Sequence, residues 1–353
     1  MQIKLSNSID NIPLTKKLWN ELVQKNSTNT VFQTYEWFIS WWGNFNENHE
    51  MFFLTAYKDD NIVGFAPLMI SIEPFGRRII KFIGDGNSDY CDFVINENRY
   101  ETISAFLDYI NKSEIKWSSI SLLNIPSSST TRACVDTYCL ESNIHIQVLK
   151  NTKTPILLLN DTQLVHEMTN KYSVMRHVKK INKAGSVTIK NTSDSETIEQ
   201  YLNIFFNQHI QRYSLKKDIS LFSDNKNKSF YKDLTNNLKE TNWILFTILF
   251  FDNKPIAFHF GFAYNNSFTW YKPSFDINYK QLSPGTVLLK SIIEYSSDKL
   301  MKEFDFTIGD ESFKSRFSNL NKKNNNLVLY KSPILYRLSQ IRCLMSKLLS
   351  RIK

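Results

Sequence analysis

Glycine is scarce in this chain: there are nine in 353 residues, alongside nine prolines and four cysteines. No Gly-x-Gly-x-x-Gly follows a strand-like run and no Gly-Lys-Ser/Thr occurs, which argues against a dinucleotide oxidoreductase and a P-loop kinase. Cys91, Cys134, Cys139 and Cys343 lack any Cys-x-x-Cys spacing, so neither a zinc cage nor a disulfide framework is expected. Asp85, Asp89 and Asp92 do not match an EF-hand loop, and no metal site is expected. The opening residues lack the apolar core of a signal peptide, and no run approaches the roughly 20 apolar residues that span a bilayer, so the expectation is a soluble, cytoplasmic protein. The formal charge of +9 comes without a Cys/His finger, an aromatic RNA-binding signature or arginine clusters. DNA is therefore not the expected partner, and a phosphate-bearing small molecule fits the charge better.

What is present suffices for a large core, with 42% hydrophobic and 14% aromatic residues over a length that suggests two domains. In the first half, helical patterns near 14–23 and 36–42 precede strand-like runs at 51–57, 62–72 and 79–83. A strand at 91–95, a helix near 100–110 and a strand at 117–123 follow. The second half repeats that order: an apolar run from Trp243 to Phe250, a turn at Asp252-Asn253, strands at 256–264 and 268–271, a helix after Ser283-Pro284-Gly285-Thr286, and a strand from Phe304. Asp60-Asn61-Ile62-Val63-Gly64-Phe65-Ala66 and Asp252-Asn253-Lys254-Pro255-Ile256-Ala257-Phe258 align as equivalent hairpins with one residue of slippage. Two copies of one mixed α/β unit explain this, with a boundary at 159/160 before a single helix over 164–184.

The run Phe304-Asp305-Phe306-Thr307-Ile308-Gly309-Asp310-Glu311-Ser312-Phe313-Lys314 ends an apolar strand at a glycine, followed by carboxylates and a lysine, a place where open sheets present ligands. Together with Lys254-Pro255-Ile256-Ala257-Phe258, Tyr279 and Leu282-Ser283-Pro284-Gly285, it resembles the FemAB-like GNAT acyltransferases of polysaccharide biosynthesis. Phe313 stands where that family usually has tyrosine. Phe32-Gln33-Thr34-Tyr35-Glu36-Trp37, Ala66-Pro67-Leu68 and the loop from Gly84 to Asp92 extend the resemblance to about Asn319. It implies a tandem duplication of a GNAT-like domain, with residues 1–159 on the acceptor side and 160–330 on the acyl-CoA side; beyond the resemblance, the spacing of the tail predicts a basic amphipathic helix at 331–353. It also implies an N-acyltransferase that moves a short acyl group from acyl-CoA, or from an acyl carrier protein, to a nucleotide-linked amino sugar for a surface polysaccharide such as O-antigen. No cofactor is held permanently; acyl-CoA is a co-substrate. An aminoacyl transferase using charged tRNA, as in FemABX relatives, and an inert scaffold subunit remain the alternatives; no long heptad insertion supports the first.

Acyl transfer from a thioester needs positioning, carbonyl polarisation and removal of a proton, without a protein nucleophile. Candidate bases are Asp310, Asp276 and His259, with Asp305 and Glu311 beside them; each is equally readable as a strand-end or hydrogen-bonded structural group. Ser283, Gly285 and Thr286 open a helix whose N–H groups and dipole suit a pyrophosphate, or else form an ordinary cap. Asp85, Asn87, Asp89, Tyr90 and Asp92 suit recognition of sugar hydroxyls or an ammonium, or else are turn chemistry. Arg176 and His177, with Lys171, Lys179, Lys180 and Lys183, make either an electropositive wall or a solvated flank, and Lys314 is placed with the substrate. Tyr35, Trp37, Phe38, Trp41 and Trp42 are expected to pack in the core rather than stack on a base. The tail repeats Leu338, Ile341, Leu344, Met345, Leu348 and Ile352 among Arg337, Arg342, Lys347, Arg351 and Lys353, so it rests on a membrane face or partner, or caps the second domain.

Overall fold

The computed structural model describes residues 1–215 and 218–352, with 346–352 described by their backbone alone. Paired left-handed residues set the hairpins of both halves. β1 (Gln2–Ser6), α1 (Lys16–Lys25) and α2 (Tyr35–Phe45) lead into β2 (His49–Lys58), which turns into β3 (Asn61–Glu73). The turn residues Asp59 and Asp60 have φ of 48° and 63°, a geometry that matches strand twist and that Asp and Asn tolerate. β4 (Arg77–Phe82) continues antiparallel; after β5 (Val94–Ile95), α3 (Arg99–Lys112) crosses to β6 (Ser119–Pro126), which lies parallel to β4. α4 (Thr131–Ser142) and β7 (His145–Val148) follow.

The chain then forms β8 (Thr152–Leu158), α5 (Thr162–Thr169), α6 (Tyr172–Ala184) and β9 (Val187–Thr192), followed by α7 (Ser195–Ser214) and α8 (Asn225–Leu238). The meander of β10 (Ile244–Phe251), β11 (Lys254–Tyr264) and β12 (Ser267–Phe275) turns at Asp252-Asn253 and Asn265-Asn266, again with positive φ at all four positions. α9 (Pro284–Asp298) crosses to β13 (Glu303–Asp305), parallel to β12, before α10 (Ser312–Phe317), β14 (Leu320–Tyr330) and α11 (Pro333–Ile352).

Two compact units result, one of residues 1–152 with 323–353 and the other of 153–322. Their limits differ from 159/160 and 330/331 because β8 pairs with β13, whereas β14 returns to pair with β6 and β7. Strand order is β1-β2-β3-β4-β6-β14 in the first unit and β9-β10-β11-β12-β13-β8 in the second. Each has an antiparallel meander, a helical crossover, one parallel strand and a further antiparallel strand. The architecture is thus a duplicated, mixed α/β unit.

Helices cover both faces of each sheet. In the first unit α3 and α4 bury Ile103, Phe106 and Val135 against one face, while Trp19 and Phe38 pack on Phe53 and Phe65 of the other. The aromatic residues of α2 are core, as their pattern suggested: Trp37 and Trp41 are 1% and 2% exposed. In the second unit α5, α6 and α9 cover Leu157, Ile256 and Phe304, and Phe205 of α7 meets Phe246, Phe258 and Phe260 on the opposite face. The single helix expected over 164–184 is two. Asn170 ends α5 by bonding His166 O, and Lys171 is extended at φ −50°, ψ 139°. The strand expected over 91–95 keeps only Val94 and Ile95, since Asp92 has other work.

His209 lies in this core, stacked on Tyr213 at 4.4 Å and bonded through Nδ1 to Ser220 Oγ at 2.8 Å. Burial, with Arg212 and Lys272 nearby, lowers its pKa to about 3. The fold therefore holds it neutral, while the unfolded chain takes up a proton near pH ~6.5. Its contribution is full above that value and is lost as pH falls toward 3, at about 1.4 kcal/mol per unit. Urea unfolding between pH 7 and pH 5 should show this decline, and His209→Gln should flatten it.

Candidate active site

β13 pairs with β12 only at Ser267, Phe268 and Thr269, yet β12 runs on to Phe275, so six residues of its edge extend past the last parallel pair. The parting begins at a turn: Asp305 Oδ1 accepts from Thr307 N at 2.7 Å, and Thr307 takes φ 57°, costly for a β-branched residue. Thr307 Oγ1 donates to Trp270 O and Arg212 Nη1 to Pro273 O, at 3.3 and 2.9 Å, so side chains replace strand partners along the overhang. Beside it opens a cleft of about 290 Å³. Trp270, Pro273, Ser274 and Phe275 form its floor, the first turn of α9 one wall, and Phe313, Arg316 and Phe317 the other.

The wall from α9 is an open helix N-terminus. Ser283 sits at φ 54°, ψ 48° and its side chain makes no cap hydrogen bond. Pro284 has no N–H, and Thr286 N and Val287 N both donate to Ser283 O. Gly285 N–H is left without an acceptor among the described residues, at the positive end of the dipole. A Cβ on Gly285 would stand 3.7 Å from Phe275 Cδ1, so a larger side chain would enter the cleft. Arg212, Lys280 and Arg316 add three cations, and no carboxylate lines the cleft among the described residues. Arg212 also lies over the Phe275 ring at 5.2 Å; burial lowers its pKa, but an arginine stays charged. Three cations and the one free N–H of Gly285 thus stand beside an apolar floor, an arrangement whose chemistry suits an anion.

Residues 169–315 match the family model of the acetyltransferase (GNAT) domain. The second unit carries a GNAT-type acetyltransferase domain. Over nearly its whole length the chain is also similar in fold to FemX, with 11% identity, coverage of 96% of this chain and 99% of that one, and a TM-score of 0.68. A tandem GNAT protein from the clavulanic acid biosynthesis pathway shares 9% identity over 92% and 98% of the two chains, with a TM-score of 0.53. L-PGS from Bacillus licheniformis shares 10% over 85% and 89%, at 0.51. No curated protein matches.

Within the GNAT domain, Ser283, Gly285 and Thr286 all line the cleft. Arg176 and His177 lie on α6, which packs against α9. Lys171 of the preceding turn donates to Arg316 O at 2.8 Å. The pKa of His177 is lowered by burial, then by Arg176, Lys180 and Arg316, so the basic stretch and the rim of the cleft share one field.

The expected bases are elsewhere. His259 is fully buried against Trp270 at 4.0 Å, its Nε2 accepting from Tyr271 N, and burial holds it neutral well below its ordinary pKa. It is a core residue of β11, without access to a substrate. Asp276 caps the short turn at Ile277–Leu282 by accepting from Asn278 N. Asp310 is exposed beside Gly309 and Glu311 is exposed too; neither lines the cleft. Lys314 is buried, tying Ile308 O and Glu311 Oε2 at 2.7 and 3.0 Å, so it pins the loop instead of meeting substrate. Arg212, Lys280 and Arg316 went unnoticed in the sequence, although Arg316 lies two residues past the last motif position.

In the first unit the polar loop is spent on its own fold. Trp41 Nε1 donates to Asn87 Oδ1, Trp37 Nε1 to Ser88 Oγ, and Lys81 pairs with Asp85. Asp89 and Tyr90 are each 7% exposed, and Asn324 Nδ2 donates to Asp89 O. Asp92 accepts from Arg99, Thr131, Thr28 and Phe93 N within 3.0 Å. The structure thus engages Asp85, Asn87 and Asp92 in contacts within the unit and buries Asp89 and Tyr90, as the turn-chemistry alternative describes. Because Arg99 and Asp92 are both shielded, Asp92→Ala strands a buried guanidinium and should cost about 3–5 kcal/mol in chemical denaturation. A loss below ~1 kcal/mol would mark the pair as surface-like.

Proposed function

We propose that the second unit is an acyltransferase that binds an acyl thioester along the overhang of β12 and passes the acyl group to a primary amine. The observation that carries this reading is the uncapped start of α9, with Gly285 N–H free beside Arg212, Lys280 and Arg316. The donor is acyl-CoA, or the same phosphopantetheine arm on a carrier protein. Its phosphates lie at α9, and its apolar arm lies on Trp270, Phe275 and Phe313. The amine nitrogen attacks the thioester carbonyl, the C–N bond forms as the C–S bond breaks, and the proton lost by nitrogen goes to the leaving thiolate or solvent. No side chain is covalently modified. The cations of α6 favour an acceptor that itself carries phosphate, and a nucleotide-linked amino sugar combines that charge with an amine.

A second reading, aminoacyl transfer from charged tRNA in the manner of FemABX relatives, is favoured by the full-length fold likeness to FemX. The two differ in thiol release. Thiol production from short acyl-CoAs should depend on one acceptor in a panel of nucleotide-linked amino sugars. Arg176→Ala should weaken diphosphate-bearing acceptors more than simple amino sugars. Gly285→Val should remove coenzyme A binding in calorimetry with little change in thermal stability. Silence across the panel, together with absent coenzyme A binding and amide formation from aminoacyl-tRNA, would favour the second reading.

A further inference from the structure

Helix α11 is built inside out. Its half-buried positions are Tyr336, Ser339, Gln340 and Cys343. Tyr336 stacks on His145 of β7 at 5.2 Å and Ser339 Oγ donates to Gln147 Oε1 at 2.8 Å, so a polar face holds the helix to its unit. The opposite stripe, Ile334, Leu338, Ile341 and Met345, is between 53% and 69% exposed. These residues recur at intervals of four, three and four, which places them on one line of the helix. An ordinary surface helix buries such a stripe and exposes its polar face.

The charges indicate what covers it. Arg337 and Arg342 are both exposed and flank the stripe on its two sides. No Asp or Glu occurs after Glu311 in the sequence, and the segment Pro333–Ile352 holds four basic residues, Arg337, Arg342, Lys347 and Arg351. Two copies of the helix face to face would bring like charges together with no acid to offset them. The stripe is wholly aliphatic, lacking the aromatic anchors that concentrate in protein interface cores. Among the described residues no helix is long and apolar enough to cross a bilayer.

We propose that α11 is a docking surface for an anionic lipid bilayer: it lies in the interface, its aliphatic stripe among the acyl chains, and Arg337 and Arg342 at the headgroup phosphates. This holds or fails independently of the acyl transfer reading. The full chain should float with vesicles of phosphatidylcholine containing phosphatidylglycerol, far less with phosphatidylcholine alone, and less as salt is raised. The paired variant Leu338→Glu and Ile341→Glu, at exposed positions, should abolish flotation without lowering the melting temperature. Arg337→Gln with Arg342→Gln should reduce partitioning by about fivefold for each charge removed, equivalent to about 1 kcal/mol apiece. Failure to float with anionic vesicles, or flotation untouched by the two glutamates, would overturn the proposal. So would a lipid-free dimer dissolved by those glutamates, which would make the stripe a contact between copies.

Discussion

Parallel pairing of β12 with β13 is the constraint from which the candidate site follows. Antiparallel neighbours can be joined by two residues, but a parallel neighbour requires a crossover, and here α9 supplies it. The crossover sets the start of α9 beside the end of β12. Three pairs are formed before Asp305 and the left-handed Thr307 turn the chain away. One strand edge, one helix start and the facing α10 therefore surround an opening, and the sequence fills it with cations and rings in place of carboxylates.

The first unit repeats the topology with a far smaller opening, about 20 Å³ beside Phe82, Ile83 and Tyr90. β4 reaches only one residue past its last parallel pair with β6, Lys81 with Ser121. At the corresponding crossover, Asn98 repeats the left-handed start of Ser283, at φ 47° and ψ 51°, again without a side-chain cap. There Arg99 is engaged by the Asp92 carboxylate, and the indoles of α2 take up the polar groups of the loop. A buried carboxylate thus neutralises the cation at one helix start, whereas no carboxylate lines the cleft at the other among the described residues.

The fold was legible where local chemistry decides it. The Asp252-Asn253 pair marks its turn, apolar runs the meander, and Ser283-Pro284-Gly285 the start of α9. The break at Asn170-Lys171 was not, because both residues are compatible with a helix and the extended backbone of Lys171 has no signal in the sequence. In the site, the helix start could be read, but the bases could not. His259, Asp276 and Lys314 are polar residues in suggestive positions whose hydrogen bonds close within the unit. Conversely, Arg212 lies in α7, some sixty residues before the overhang it serves, and only the folded chain brings it to Pro273 O. Sequence proximity to a motif thus overstated Lys314 and concealed Arg212.

Hydrogen–deuterium exchange of the intact protein, with and without coenzyme A, tests most directly whether the open notch of the second unit is the donor site. Slower exchange confined to the first turn of α9, the overhang of β12 and α10 is the expected result. Protection at residues 84–99 instead, or none in either unit, would contradict it.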